Sequence, residues 1–480
     1  MKLTKRLCAA AAAVTVCVSA GGCSLSGGSS SSSEAETTSA PLQTTLTETT
    51  PPPAETEAPP PETEAVTSTT EEDSVPDEEE IRRQMLAEIS SKLPDEPLDN
   101  KIVRRFAETD LDPASSDRTS AALQLFSDKY GGEVEWVKAA HDERFEKLAA
   151  YVLSADSPDI FPTDSMDTFP RGAVNELFMP LNTVLSSEGL SHPYFDFNGS
   201  CYAAFVETVP EYFLAYSLPA LSAWSLPAPA ELYAQGNWNR PMFEVMNDSF
   251  GGKAAVGGKD IARAFSMAGG VPLLTMENGK IVTNISDGTL AETQDWIYSL
   301  GQEGKVKYGS ELSDDNSVLF EVVSVRDFFS GQKTLPDRSR IIPVPSGEGE
   351  QYMPAYLRGY HFCKGAGNPE GAVRFIECEK LAAEYFNGEF EKRLTDISEG
   401  MFADNIDAVR VLYSLAKEYP VVSCTYGMPL SEFGAMAEKA LSSVLPETGS
   451  AVSWQTAASE IRTQLEYAVR TANDPEPLGP

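Results

Sequence analysis

The chain has 480 residues and a formal net charge of −35, from 72 acidic and 37 basic side chains. This acidic balance excludes nucleic acid as a partner, because phosphate binding needs a basic face that releases counterions. The length exceeds what a single hydrophobic core normally organises, so we expect two lobes.

The N-terminus has the pattern of an export signal. Three basic residues precede an apolar run over residues 7–20, and small residues then lead into Cys23. The apolar run is too short for a spanning helix, so we interpret residues 1–22 as a signal peptide. The small residues before the cysteine resemble a lipobox, which predicts that Cys23 is diacylated and becomes the mature N-terminus. Cleavage near Ala20 with release of the protein is the alternative.

Residues 23–80 are predicted to form a lipidated, disordered linker. Beyond the cysteine the segment consists of Ser, Thr, Pro, Glu and Gly with almost no large apolar side chain. It cannot bury enough surface to offset the entropy of ordering. Fourteen acidic residues and two proline runs favour an extended chain, and an O-glycosylated stalk is a variant. Without the signal and linker, residues 81–480 still carry a formal charge of −24.

Helix and strand patterns alternate after the linker. In chain order, apolar spacing predicts a charged helix over 78–93, a strand over 101–107, a helix over 115–130, a strand over 133–137, a helix over 142–153 and a strand over 159–162. This alternation predicts an α/β fold with a mostly parallel sheet. Ligands of such sheets bind beyond the carboxyl ends of the strands. The candidate cleft edge therefore comprises Glu108, Thr109, Asp110, Asp164 and Ser165.

Cysteines and histidines give no sign of a metal or cofactor. The folded part has four cysteines that we expect to be buried single thiols, with one disulfide as the alternative: Cys201, Cys363, Cys378 and Cys424. Its three histidines are too scattered for a metal site: His141, His192 and His361. No HExxH, GxSxG, GxGxxG or P-loop spacing occurs, so we expect no cofactor, no metal and no enzymatic activity.

Several motifs in a fixed order resemble a known family. Residues 121–165 read AALQLFSDKYGGEVEWVKAAHDERFEKLAAYVLSADSPDIFPTDS, and residues 171–185 read RGAVNELFMPLNTVL. Both are similar to the opening of family 1 extracellular solute-binding proteins of ABC importers, the maltodextrin-binding class. Residues 196–221 resemble the first crossing between the two lobes of that family, and residues 356–378, YLRGYHFCKGAGNPEGAVRFIEC, resemble the return crossing.

Further motifs match in part. Residues 286–306, SDGTLAETQDWIYSLGQEGKV, resemble the helix that closes the middle of the second lobe. Residues 231–243, ELYAQGNWNRPMF, keep Trp238 but have Arg240 where the family has a second Trp. Tyr216 matches the Tyr of a Tyr-Asn-Lys motif, whereas Ser217 replaces the Asn. In the return crossing, Asn368 is predicted to cap a helix that begins at Pro369.

The resemblance implies a two-lobed, periplasmic-binding-protein-like α/β fold with hinge crossings. Lobe one would comprise residues 98–205 with 362–420, and lobe two residues 206–361 with 421–475. A solute held between the lobes stabilises the closed form by contacting both faces. The implied function is a monomeric, lipid-anchored receptor on the extracytoplasmic face of the cell membrane. It would capture a small solute, which we expect to be an oligosaccharide, and deliver it to an ABC transporter permease without catalysing a reaction.

Sugar rings stack on aromatic faces, and carboxylates and Arg bond their hydroxyl groups. Such side chains near the implied cleft are the predicted ligand-binding residues: Glu108, Asp164, Tyr216, Trp238, Arg358, Tyr360 and Tyr426. Trp238 could equally pin a loop to its lobe, and Arg240 could be a solvated cation. Two other functions stay open: a surface adhesion or sensory scaffold with the same fold, and a surface glycan hydrolase.

Overall fold

The computed structural model describes residues 78–108, 117–140, 143–163, 169–184, 189–251, 254–329, 332–397, 405–423 and 431–473. The predictions for the signal peptide, Cys23 and the linker before residue 78 lie outside these residues. Among the described helices, none combines the length and apolar character needed to cross a bilayer.

Helices and strands alternate along most of the described chain. The helices are α1 Glu78–Lys92, α2 Asp117–Tyr130, α3 Arg144–Ser154, α4 Arg171–Val174, α5 Leu218–Trp224, α6 Pro229–Ala234, α7 Arg240–Ser249, α8 Ile261–Ala268, α9 Gly288–Gln302, α10 Val325–Phe329, α11 Pro369–Ile397, α12 Ile406–Glu418, α13 Ser431–Ser443 and α14 Trp454–Asn473. The strands are β1 Ile102–Glu108, β2 Glu133–Ala139, β3 Ile160–Pro162, β4 Asp196–Phe197, β5 Ser200–Cys201, β6 Ala204–Pro210, β7 Tyr212–Ser217, β8 Ala254–Gly258, β9 Leu274–Glu277, β10 Lys280–Thr283, β11 Val318–Ser324, β12 Ser339–Ile342, β13 Met353–Phe362 and β14 Pro420–Val421. The six elements predicted from the sequence for the first part of the chain are all present, with ends shifted by one or two residues. The α/β prediction is confirmed.

The first sheet is built mostly from the start of the chain. Its path is β14, β13, β3, β1, β2, and β6 also pairs with β13. Strands β1, β2 and β3 are parallel, whereas β13 runs antiparallel to both β3 and β6. Helices α1, α2 and α11 pack together over this sheet and bury a core that includes Phe126 and Phe375. Asn368 caps α11 as predicted, because its Oδ1 accepts from the amide of Gly371 at 2.9 Å.

The second sheet has the order β12, β7, β11, β8. Strands β8 and β11 are parallel, and β7 is antiparallel to both β11 and β12. Its largest core cluster contains side chains of α7, α8, α9, α13 and α14. Within that cluster, Phe243, Phe265, Trp296 and Phe320 form a continuous group of ring contacts.

A two-stranded ribbon joins the two sheets. Strands β6 and β13 begin to pair at Ala204 and Tyr360, beside the carboxyl end of β3, and continue to Pro210 and Ala355. After the single residue Glu211, the chain enters the second sheet as β7. The predicted lobe boundaries at 205/206 and 361/362 fall at the first-sheet end of this ribbon, and as boundaries they stay predictions.

The helix α1 is part of the first-sheet layer. Its side chains Leu86 and Ile89 are buried with Leu93, at the helical spacing of three and four residues. Near its start, Arg82 Nη2 donates to Ser120 Oγ at 3.3 Å. Just beyond its end, the carbonyl of Pro94 accepts from the Tyr130 hydroxyl at 2.9 Å. Helix α1 therefore lies alongside α2 with the same direction.

Candidate functional site

The strand pairing places the carboxyl ends of the parallel strands of the two sheets at opposite ends of the ribbon. Strand β3 ends at Pro162, opposite Tyr360 on β13, so the ribbon extends outward from that edge. At the other end, Ser324 at the end of β11 pairs with Tyr212 at the start of β7. Ligands of parallel sheets bind beyond the carboxyl ends of the strands. The region along the ribbon between these edges is therefore the candidate site.

Glu211 is the residue at which the chain leaves β6 of the first sheet and enters β7 of the second. We call β6 with β7 the first crossing strand and β13 the second crossing strand. The amide of Glu211 donates to the carbonyl of Pro354 at 2.7 Å, and its carbonyl accepts from the amide of Val325 at 3.0 Å. Its carboxylate forms an ion pair of 3.0 Å with Arg263 on α8. Glu211 thus bonds to β13, to the first residue of α10 directly after β11, and to Arg263 on α8.

A pocket lies at the carboxyl ends of β8 and β11. It is lined by Gly258, Lys259, Asp260, Gly309, Glu311, Glu321, Val322, Val323, Ser324, Asp327, Gln332 and Lys333. Its volume is about 110 Å³. Pockets that enclose a whole ligand are usually about 300–1,000 Å³. The pocket is therefore smaller than a site that encloses a whole ligand.

Two carboxylates of the pocket share one ammonium group. Lys333 Nζ lies 2.5 Å from Glu321 Oε1 and 3.1 Å from Glu311 Oε2, and Glu321 is only 3 % exposed. The other oxygen of Glu321 accepts from the amide of Leu312 at 2.8 Å. Burial raises the pKa of Glu321, and these two donors oppose that effect. Lys333 already compensates the charge of Glu321. Glu321 is therefore a structural part of the pocket wall.

Asp260 lines the pocket at the start of α8 in the left-handed backbone region, with φ of 52°. Burial raises the pKa of Asp260, the charge of Arg263 lowers it, and the charge of Asp327 raises it. Carboxylates of this kind can accept hydrogen bonds from hydroxyl groups. The pocket therefore offers acceptors suited to a polar, hydrogen-bond-donating solute.

Glu108 lies at the carboxyl end of β1, where the sequence placed it. Its Oε1 accepts from Arg144 Nη1 at 2.8 Å, and Arg144 is buried at the start of α3. Arg144 thus fixes the orientation of the Glu108 carboxylate at the edge of the first sheet.

Arg358 and Tyr360 lie together on β13, in a buried network that the sequence did not reveal. Arg358 Nε donates to Glu207 Oε1 on β6 at 2.8 Å, and its Nη1 donates to Glu379 Oε2 on α11 at 2.9 Å. The Tyr360 hydroxyl donates to the other oxygen of Glu379 at 2.7 Å. Tyr360 is 1 % exposed. These side chains tie the ribbon to α11, and their predicted contact with a solute stays a prediction.

Tyr216 and Trp238 lie inside the core of the second sheet, apart from the other predicted residues that the structure describes. Trp238 donates from Nε1 to the carbonyl of Pro343 at 2.9 Å and packs against Phe243 and Phe320. Here Trp238 pins the loop after β12, which is the structural alternative considered for it. Tyr216 is 2 % exposed on β7. Contact of either ring with a solute stays untested.

Other candidates are placed differently or not described. Asp164 and Tyr426, like Thr109, Asp110, Ser165, His141 and Cys424, lie outside the described residues. Arg240 lies over the ring of Trp296 at 4.6 Å and donates to Thr293 Oγ1 at 2.9 Å, so it is not a solvated surface cation.

Cys363 and Cys378 are buried free thiols, and Cys201 is free and half-buried. In the described part of the chain, no group of three or more His, Cys, Asp or Glu side chains is arranged to hold a metal ion.

Sequence reasoning missed Glu211, Asp260, Arg263 and Lys333. A signal for Asp260 was present, since a small apolar strand and two glycines precede it, as at the end of a buried strand. For Lys333 the sequence offers none, because its partners Glu311 and Glu321 are brought to it only by the second sheet.

Solved structures of sugar-binding proteins share this architecture over their full lengths. A solute-binding protein from Staphylococcus aureus in complex with maltose matches with a TM-score of 0.54 and 11% identity, over 78% of this chain and 99% of its own. An ABC substrate-binding protein from Listeria monocytogenes in complex with cycloalternan matches at 0.53 and 12%, over 77% and 100%. The sugar-binding protein MalE from Xanthomonas citri matches at 0.53 and 13%, over 77% and 98%.

The chain has the fold of the two-lobed ABC solute-binding proteins. The fold predicted from the ordered motifs is therefore confirmed. No protein-family model and no curated protein matches the chain. At 11–13% identity these structures establish the architecture, and the solute has to be argued from the site.

Proposed function

We propose that this chain is a sugar-binding receptor of an ABC importer, which captures an oligosaccharide between its two lobes and hands it to a permease without chemistry. The main support is that the carboxyl ends of the parallel strands of both sheets lie along one ribbon of β6 and β13. The fold is also that of sugar-binding proteins over their full lengths. The pocket lined by Asp260, Ser324 and Asp327 supplies polar groups for sugar hydroxyls on one side.

On the other side we propose Glu108 at the carboxyl end of β1, together with Asp164 and Tyr426, which lie outside the described residues. The ribbon residues Arg358 and Tyr360, and the core residues Tyr216 and Trp238, complete the proposed set. For the buried members, closure of the lobes around a solute would have to bring a ring edge or a guanidinium to the cleft surface.

Two measurements test the function. Native mass spectrometry of the purified protein should find a retained oligosaccharide, and titration calorimetry over a panel of maltodextrins and other glycans should identify it. Small-angle scattering should then show a smaller radius of gyration with that glycan, because the lobes close. A protein that binds none of the glycans and keeps its radius would refute the proposal. Release of cleaved product would instead favour the hydrolase.

A matched pair of variants localises the site. Asp327→Asn removes a pocket charge and should weaken glycan affinity about ten-fold or more, since hydrogen bonds to charged groups contribute roughly 1.5–3 kcal/mol. Asp295→Asn changes the same side-chain type at an exposed position of α9 outside the pocket and should leave affinity unchanged. Equal affinities for the two variants would place the glycan elsewhere.

We also propose that Cys23 is the lipid anchor that holds the receptor on the extracytoplasmic face of the membrane. The support is the small-residue pattern that leads into the cysteine after an export signal. Cells labelled with palmitate should incorporate it into the wild-type protein, whereas Cys23→Ala should lose the label and partition into the aqueous phase. A Cys23→Ala protein that stays in the detergent phase would exclude this anchor.

A further inference from the structure

The first crossing strand has a single pivot residue. Strand β6 belongs to the first sheet as far as Pro210, and β7 belongs to the second sheet from Tyr212 onward. Only Glu211 separates them, and its backbone is bonded to Pro354 on one side and Val325 on the other. A rotation of one lobe relative to the other has to be absorbed by a few such residues. Whatever holds Glu211 therefore influences where the crossing bends.

Arg263 holds the side chain of this residue. Its Nη2 lies 3.0 Å from Glu211 Oε1, and its Nη1 lies 3.7 Å from Glu438 Oε1 on α13. All three side chains are about one-fifth exposed, so solvent screens their attraction only in part. The guanidinium thus ties the crossing to two helices of the second sheet.

We propose that Arg263 is a positioning residue that fixes the pivot of the first crossing at Glu211. It keeps Glu211 on the side of the second sheet, so bending is concentrated between Pro210 and Glu211. The fixing of the pivot does not depend on the proposed solute-binding function, so the two can fail separately.

Amide hydrogen exchange of the ligand-free protein tests the pivot. In Arg263→Met, the amides of Glu211 and Val325 should exchange roughly three to ten times faster, because the side chain that stabilises their bonded arrangement is lost. Arg263→Lys, which retains a charge, should stay near the wild-type rates. Raising the salt concentration to about 1 M should speed the same two amides in the wild-type protein, because the ion pair is partly exposed.

Arg104→Met is the matched control. Arg104 also bridges two carboxylates, at 2.9 Å to Asp156 and 3.7 Å to Glu135, but it lies on β1, away from the crossing. This variant should leave both amides unchanged. The proposal is overturned if Arg263→Met leaves the exchange of Glu211 and Val325 at wild-type rates, or if Arg104→Met raises them equally. Failure of every glycan to bind would refute the proposed function without altering this outcome.

Discussion

The hydroxyl of Tyr360 donates a hydrogen bond of 2.7 Å to Glu379, and both side chains are 1 % exposed. The same carboxylate accepts from Arg358, so one acidic residue of α11 binds two neighbours on the second crossing strand. Buried charges persist only where partners replace their lost hydration. Glu379 therefore links the hinge ribbon to the first-sheet layer.

Removal of Glu379 should be costly. Glu379→Ala deprives the mostly buried guanidinium of Arg358 of one of its two carboxylate partners. We therefore expect the free energy of unfolding to fall by about 3 kcal/mol. Tyr360→Phe removes one hydrogen bond and should cost about 1–2 kcal/mol. Urea unfolding measures both. As the control, Glu96→Ala deletes a carboxylate that is 73 % exposed in its pair with Arg374, and it should cost well under 1 kcal/mol. Similar losses for Glu379→Ala and Glu96→Ala would contradict this account.

His361 should make stability depend on pH. It is fully buried, its Nδ1 donates to the carbonyl of Tyr202 at 2.9 Å, and it stacks on Phe178 with ring centroids 4.0 Å apart. Burial lowers the pKa of His361 to about 4 from its usual 6.5. Between these values the unfolded chain binds more protons than the folded one, so stability falls as pH falls from 6.5 to 4.

The expected contribution of His361 to that loss is about 3 kcal/mol at the acid end of the window. His361→Phe has no titrating group at this position, so its stability should vary less with pH over the same window. Urea midpoints measured at pH 7, 5.5 and 4 compare the two proteins. Parallel curves for both would show that other groups cause the dependence.

Asn368 should contribute to stability through two separate roles. Its Oδ1 caps α11, and its Nδ2 donates to the carbonyls of Asn100 at 3.0 Å and Ile102 at 2.8 Å. Asn368→Ala removes both roles and should cost about 2–3 kcal/mol. Asn368→Asp retains the cap acceptor but loses the donors to Asn100 and Ile102, so it should also be less stable than the wild type. Thermal and urea unfolding measure the stabilities of both variants. An Asn368→Ala protein as stable as the wild type would be inconsistent with both roles.

Lys333→Met should destabilise the pocket wall. It leaves Glu321, which is 3 % exposed, with the amide of Leu312 but without its ammonium partner, and we expect a loss of about 3 kcal/mol. The double variant Lys333→Met with Glu321→Leu removes both charges and should recover much of that loss. Urea unfolding of the two proteins and the wild type completes the comparison. A double variant less stable than Lys333→Met would contradict this account, because removing the unpaired carboxylate would then carry a cost instead of relieving one.

The fold could be predicted because its signals are local. Apolar periodicity located α1 to α3 and β1 to β3, and the Asn-Pro pair located the start of α11, since caps and periodic faces depend on neighbours within a few residues. Of the candidate site, the sequence located Glu108 at the carboxyl end of a recognisable strand, and its contact with a solute stays a prediction.

The remaining site residues depend on contacts between distant parts of the chain. Aromatic residues serve cores and sugar platforms equally well, so the sequence could not show that Trp238 bonds to Pro343, 105 residues away. Arg358 reads as an exposed ligand in the sequence, yet Glu207 and Glu379 are brought to it by a paired strand and a packed helix. Residue type alone does not encode such partners.

The docking of α1 alongside α2 has a mechanical consequence. Any tension applied to the chain before residue 78 enters the folded part through α1, where Leu86, Ile89 and Leu93 share the load with the hydrogen bonds at both ends of the helix. A pull along the axis of α1 is parallel to its interface with α2, so these contacts resist it together instead of separating one after another. Helix α1 is therefore the described element that first bears such a load.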